Sequence, residues 1–170
     1  MALLDDIKFQ FKTGNILMQL IYINGGVFLA MMVLRLLFYL SGNADVFDQI
    51  AYYLTIPASP KLLLYRPWTL LTHMFVHDGF LHILFNMMWL YFGGTIFLNF
   101  LDSRKLLSTY LLGGFTGAAF FVLAMNLFPV FSASAPYAVA EGASAAVLAI
   151  VVAAATTAPN YVVRLVLIGP

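Results

Sequence analysis

Four long apolar runs constrain this chain more than any other feature of its sequence. They cover about residues 16–40, 80–101, 106–128 and 142–158. Lipid offers the backbone no hydrogen-bond partners, so each run is expected to form a helix, and about 20 apolar residues cross a bilayer. Because 63% of the 170 residues are hydrophobic and only 9% are charged, we expect one all-α, polytopic membrane domain over residues 1–170.

Composition and charge exclude several other classes of protein. The net charge is +1 without a cluster of Lys and Arg, so no nucleic-acid partner is expected. The chain contains no cysteine, which removes disulfides, thiol nucleophiles and thiolate metal sites. The first run is too long for a signal peptide and lacks a small-residue cleavage site, so it is expected to remain as a helix.

The distribution of Lys and Arg predicts the orientation of these helices. One side of the membrane would hold Lys8, Lys12, Arg104, Lys105 and Arg164, and the other Lys61 and Arg66. By the positive-inside rule, the segment 1–15 is then cytoplasmic. The second and fourth helices both run from outside to inside, which places His82, Asn86 and Ser144 near the outer surface.

The connection between the first two helices, residues 41–79, is too long to lack structure. Phe47, Ile50 and Leu54 have helical spacing. Four further aromatic residues favour the headgroup region, namely Tyr52, Tyr53, Tyr65 and Trp68. We therefore predict that the connection lies in the outer interface, the alternative being an extracellular loop with scattered aromatic residues.

Small residues mark the expected packing faces. Gly113 and Gly117 form a GxxxG pair on the third helix. Residues of the fourth helix form a ridge of small side chains at intervals of four, namely Ala145, Ala149, Ala153 and Thr157. A helix with small side chains on several faces is typical of the centre of a bundle, so the fourth helix is predicted to be central.

Ser144 is a candidate nucleophile at the start of the fourth helix. A serine hydroxyl needs a base to take its proton and donors to stabilise the resulting oxyanion. Backbone N–H groups at a helix N-terminus lack intrahelical partners and favour negative charge, and Gly142 permits close approach. A cap or a packing contact remains the alternative for an isolated Gly-x-Ser.

His82 and Asn86 lie on one face of the second helix because they are four residues apart. Polar side chains at membrane depth are functional candidates, although hydrogen bonding between helices is the alternative. His73 and His77 are also four residues apart, with Asp78 beside them, which is an alternative pattern for a metal site. It is disfavoured because no carboxylate cluster completes it, and no cofactor or metal is predicted.

Taken together, these residues resemble the rhomboid intramembrane serine proteases. The resemblance covers about residues 66–159 and rests on the spacing of three histidines and Asn86 within residues 72–86, on Gly93-Gly94 and on Gly142-Ala143-Ser144. It implies a six-helix bundle, of which this chain has four helices, with a membrane-embedded first loop. It also implies that Ser144 is the nucleophile, that His82, Asn86 and Ser144 form the oxyanion hole, and that Gly142 and His77 support the motif.

The sequence departs from the rhomboid pattern in three places. Ala145 replaces the second glycine of GxSG, and Arg66-Pro67-Trp68 stands in place of the Trp-Arg pair. The base of the family's Ser–His dyad is a histidine on the sixth helix, and none of the 170 residues supplies it. We therefore expect a chain that lacks the last helices and is inactive by itself.

Two functions remain open at this stage. The first is an intramembrane serine endopeptidase that cleaves transmembrane proteins, in a multi-pass protein that compactness suggests is bacterial and of the inner membrane. The second is an inactive rhomboid-like protein that binds transmembrane clients. Besides membrane lipid, transmembrane proteins are the expected partners. A transporter would need more intramembrane charge and an inverted repeat, which the sequence lacks.

Overall fold

The computed structural model describes residue 11 and residues 14–159. The helices are α1 (Ile16–Leu40), α2 (Ala44–Leu54), α3 (Pro60–Tyr65), α4 (Thr69–Thr72), α5 (Phe80–Phe100), α6 (Ser103–Leu127) and α7 (Ser144–Thr157), with a 3₁₀ turn at Pro129–Phe131. Two short strands, β1 (Ile56–Pro57) and β2 (Val139–Ala140), form an antiparallel pair. This architecture confirms the all-α polytopic fold. Most of the predicted cytoplasmic segment 1–15 lies outside the described residues.

Within the described part of the chain, three helices are long and apolar enough to cross a membrane. Helices α1, α5 and α6 have 25, 21 and 25 residues. Helix α7 has 14 residues, which at 1.5 Å per residue is about 21 Å, less than the roughly 30 Å of a hydrocarbon core. It ends at Thr157 because Pro159 disfavours helical backbone at the residue before it.

The helix boundaries follow local capping groups. Asn15 caps α1 by accepting a hydrogen bond from the Met18 N–H at 3.1 Å. Asp102 caps α6 in the same way from the Lys105 N–H at 2.9 Å. Because of this cap, α6 begins at Ser103, three residues before the predicted start at Leu106.

Helix α7 lies between α5 and α6, which make few contacts with each other. A Cβ atom at Gly113 would overlap the Cβ of Ala149, and one at Gly117 would overlap the Cβ of Ala145. The GxxxG pair of α6 therefore packs directly on the small-residue ridge of α7. This confirms the predicted central position of the fourth helix.

The connection between α1 and α5 is a folded unit, as predicted. The Trp68 indole N–H donates to the Tyr53 carbonyl at 2.9 Å, and the Thr72 hydroxyl donates to the Leu54 carbonyl at 2.7 Å. The Arg66 guanidinium lies over the rings of Tyr52 and Tyr53, 4.6 and 4.0 Å from their centroids. The depth of this connection in the membrane interface remains a prediction.

The strand pair joins this connection to the segment that precedes α7. Ile56 pairs with Ala140, and Pro57 pairs with Val139. The Ala58 N–H also donates to the Ala138 carbonyl at 2.9 Å. The start of α7 is therefore held at the same end of the bundle as the connection and the start of α5, a pairing that the sequence analysis did not predict.

Candidate active site

The turn that leads into α7 requires glycine at position 142. Gly142 has a φ of +104°, a conformation that L-residues with side chains rarely adopt. A Cβ atom there would lie 2.6 Å from His82 Nε2. The Gly142 N–H donates to the His73 carbonyl at 2.8 Å. The turn therefore lies directly against the histidine-rich segment, and its glycine leaves room for the His82 ring.

His77 supports the next residue of this turn. The Ala143 N–H donates to His77 Nε2 at 3.3 Å, while His77 Nδ1 lies 3.3 Å from the Phe75 carbonyl. Since Nε2 accepts and the carbonyl can only accept, the ring is neutral with its proton on Nδ1. Burial, and after it the charge of nearby His82, lowers the pKa of His77 to about 4. His77 is thus a hydrogen-bond acceptor that holds the start of α7.

His82 and Asn86 lie on successive turns at the start of α5. His82 Nδ1 is 2.8 Å from Asp78 Oδ1, and its ring centroid is 5.0 Å from that of His77. The buried Asn86 amide donates one Nδ2 proton to the His82 carbonyl at 2.9 Å. Because an amide nitrogen carries two protons, Asn86 keeps a second one for another acceptor.

The structure brings His82, Asn86 and Ser144 to one cavity of about 560 Å³ between α5 and α7. Ser144 is exposed. The remaining lining is apolar and consists of Leu81, Phe85, Trp89, Val147, Leu148 and Val151. Helices α5 and α7 are neighbours, as predicted, whereas the chemical roles of the three polar residues remain predictions.

The first turn of α7 adds backbone donors to this cavity. Its capping residue, Ala143, makes no side-chain cap, and the first N–H groups of a helix have no intrahelical acceptor. Among the residues that the structure describes, the Gly142 and Ala143 N–H groups are bonded to His73 and His77, whereas the N–H of Ser144 has no acceptor. The helix dipole makes this end favourable for a negative charge.

The residues considered for a metal site are engaged in other interactions. His73 Nδ1 donates to the Thr69 carbonyl at 2.8 Å, His77 Nε2 accepts from Ala143, and Asp78 pairs with His82. In the part of the chain that the structure describes, no group of three histidine or acidic side chains is placed to hold a metal ion.

Two acidic residues that sequence reasoning did not assign to the site lie close to it. The spacing of Asp78 four residues before His82 on the approach to α5 could have indicated their pairing. Glu141 precedes the α7 turn, and its pKa is raised, first by burial and then by the negative charge of Asp78. With His77, Arg35 and Asp48, both acids line a second cavity of about 230 Å³.

Comparison with protein families matches residues 65–167 to the Rhomboid domain. This match covers more than half of the chain and includes every candidate site residue. A comparison with curated proteins finds no match.

Proposed function

Because the chain belongs to the rhomboid family, we propose that it carries the nucleophile and oxyanion-binding groups of an intramembrane serine endopeptidase that cleaves transmembrane proteins. One observation carries the proposal. Ser144, His82 and Asn86 line a single, otherwise apolar cavity at the N-terminus of α7. A hydroxyl, two side-chain donors and a helix N-terminus are the groups that acyl transfer needs.

The proposed reaction begins with attack of Ser144 Oγ on the carbonyl carbon of the scissile peptide bond. The hydroxyl proton passes to a histidine base, and the carbonyl oxygen becomes the oxyanion. Collapse breaks the C–N bond as the base protonates the leaving amine. Water then attacks the ester and gives its proton to the base, and the base returns it to Oγ as the carboxyl product leaves.

The oxyanion would be stabilised by donors from two helices. Helix α7 offers the Ser144 N–H, and α5 offers Asn86 Nδ2 and His82 Nε2. Their positions are set before substrate arrives, because the α7 turn is bonded to His73 and His77. Donors fixed in advance are the main source of rate enhancement in acyl transfer.

In the family's pattern, the base of the Ser–His dyad is a histidine on the sixth helix. We therefore place the base outside these 170 residues. His73 and His77 each use a ring nitrogen in a backbone hydrogen bond. We accordingly expect the 170-residue chain to show no cleavage when it is assayed alone.

A second candidate function is binding without cleavage. Ala145 stands where the family motif has its second glycine, next to the proposed oxyanion site. The cavity lining is mostly apolar, which suits a transmembrane client whether or not it is cut.

The two functions are separated by an assay of the protein extended through the remaining rhomboid helices and reconstituted in liposomes. Cleavage of a transmembrane substrate and labelling by a fluorophosphonate are both expected, and Ser144→Ala should abolish both. Ser132→Ala is the matched control, because this exposed serine lies in the segment before β2 and away from the cavity. A folded protein that shows neither property would contradict the protease function and leave binding without cleavage as the candidate.

We also propose that the N-terminus is cytoplasmic and the site lies near the outer surface. The charge bias of the loops supports this orientation. Since the chain has no cysteine of its own, single substitutions of the exposed residues Arg104→Cys and Ala133→Cys can be tested with an impermeant thiol reagent. Labelling from outside is expected at position 133 only, and the reverse pattern would contradict the orientation.

A further inference from the structure

The contact between Asp78 and His82 has a geometry that a surface ion pair does not need. His82 Nδ1 is 2.8 Å from Asp78 Oδ1, while the two side chains are 31% and 73% exposed, respectively. An ion pair this open to solvent adds little to stability. Because the contact has good geometry but adds little to stability, its main effect is on the His82 ring.

The contact between Asp78 and His82 determines which nitrogen of His82 faces the turn that leads into α7. Since a carboxylate only accepts, Nδ1 carries a proton. Nε2 is then the nitrogen that lies against Gly142, 2.6 Å from the position of a Cβ there. In the neutral ring this Nε2 has a lone pair and cannot donate, so only the imidazolium form donates a hydrogen bond from Nε2.

The charged groups around His82 are mostly acidic. Asp78 is bonded to the ring, and Glu141 precedes the α7 turn and interacts electrostatically with both. His77 packs edge to face against the ring and is neutral near pH 7. Helix α7 contributes no charge. From α1 and α2, Arg35 and Asp48 line the cavity that Asp78 and Glu141 share, and their charges offset each other.

We propose that Asp78 is a positioning residue, which keeps a proton on Nδ1 of His82 and so holds Nε2, the nitrogen that donates from the imidazolium, toward the oxyanion at Ser144. The oxyanion part rests on the proposed function, whereas the effect on the His82 ring does not.

The effect on the ring can be measured without any assay of activity. The chain contains three histidines, so ¹⁵N NMR of the full chain in bicelles resolves few imidazoles, and His82→Gln assigns the relevant one. At high pH we expect the His82 proton on Nδ1. Asp78→Ala should move it toward Nε2, which a free imidazole prefers, while Asp78→Glu should retain it on Nδ1.

A second measurement separates the charge of Asp78 from its hydrogen bond. Asp78→Asn keeps an acceptor oxygen and removes the charge, so the proton should stay largely on Nδ1. In the extended, cleaving protein, Asp78→Ala should lower kcat with little change in KM, while Asp78→Glu and Asp78→Asn should retain kcat because both keep an acceptor for the Nδ1 proton. Asp45→Asn, the same charge change on exposed α2, is the control and should alter neither measurement.

The outcomes distinguish this inference from the proposed function. If Asp78→Ala leaves the His82 proton on Nδ1, Asp78 does not position the ring and the inference is overturned. An unchanged kcat in Asp78→Ala overturns the effect of the ring position on cleavage. If the ring responds as expected and the extended protein never cleaves, Asp78 still positions His82 and the protease function fails.

Discussion

Helix α7 packs between α6 and α5, and the two sides differ in how much space they leave beside the helix. Toward α6, the GxxxG glycines meet Ala145 and Ala149 so closely that a single Cβ would overlap them. Toward α5, the same helix borders a cavity of about 560 Å³ that contains Ser144. We call the side toward α6 the closed side and the side toward α5 the open side. The closed side determines where the helix lies, and the open side leaves space for chemistry at its N-terminus.

The two sides also use different interactions. On the closed side the contact is van der Waals packing of small residues, which is the main attraction between helices in lipid. The helix start, in contrast, is held by hydrogen bonds to the segment that precedes α5, from Gly142 to His73 and from Ala143 to His77. Substitutions on the closed side should therefore change stability, and substitutions around the helix start should change catalysis as well.

The largest effect is expected for Gly142→Ala. The new Cβ would lie 2.6 Å from His82 Nε2, and a φ of +104° is strained for alanine. His82 would have to leave its place beside Asp78, so cleavage by the extended protein should fall by more than about 10³-fold. Gly79→Ala is the control, because nothing lies within 4 Å of its Cβ position. Activity retained in Gly142→Ala would contradict the assigned site.

A smaller loss is expected for Asn86→Ala, which removes one proposed oxyanion donor. Loss of such a donor lowers kcat by about 10²- to 10³-fold with little change in KM. Thr95→Ala is a matched control on the same helix, since its hydroxyl bonds the Tyr91 carbonyl one turn back. A rise in KM with kcat unchanged would assign Asn86 to substrate binding instead.

Acid should weaken the hydrogen bond that holds the α7 turn. The pKa of His77 is lowered from 6.5 to about 4 by burial, so between these values the unfolded chain binds more protons than the folded one. The contribution of His77 is therefore fully present above pH 6.5 and is lost as the pH falls toward 4, by roughly 3 kcal/mol at most. Unfolding should be measured across this range in detergent.

The matched variant is His77→Gln, which does not titrate. Its free energy of unfolding should change less between pH 6.5 and 4 than that of the unsubstituted chain. The difference between the two curves isolates His77 from the carboxylates that titrate in the same range. Parallel curves would show that His77 does not support the turn as a neutral acceptor.

The smallest effect concerns the closed side and compares two identical substitutions. Gly117→Ala places a Cβ against Ala145, whereas nothing lies within 4 Å of a Cβ at Gly26 on α1. Both substitutions gain the same helix propensity, so the difference between their free energies of unfolding measures the contact with Ala145. Gly117→Ala should be less stable than Gly26→Ala by about 1–2 kcal/mol in SDS titration. Equal stabilities would show that α6 and α7 are not closely packed.

Much of the fold could be predicted because its signals are local. An apolar run of bilayer length becomes a helix wherever it lies, since the backbone must satisfy its own hydrogen bonds in lipid. The four-residue spacing places His82 and Asn86 on one face without knowledge of any neighbour. The small residues of the third and fourth runs likewise identified the closed side of α7 before its partner was known.

The predicted helix boundaries were less accurate where a single residue sets the end of the helix. The Asp102 cap starts α6 at Ser103, ahead of the apolar pattern that indicated the helix. Pro159 keeps the last helix described here to 14 residues. Hydropathy averages over many residues and does not detect such single-residue effects.

What the sequence determined by itself is which residues can do chemistry and which faces they share. The tertiary structure decided how they meet: β1 pairs with β2, the His77 ring accepts the Ala143 N–H, and Gly142 lies against His82. These contacts join residues that are 60 or more positions apart in the chain, and no local periodicity encodes them. Their geometry depends on how closely α7 packs between α5 and α6, because that packing brings the turn within hydrogen-bond distance of the histidines.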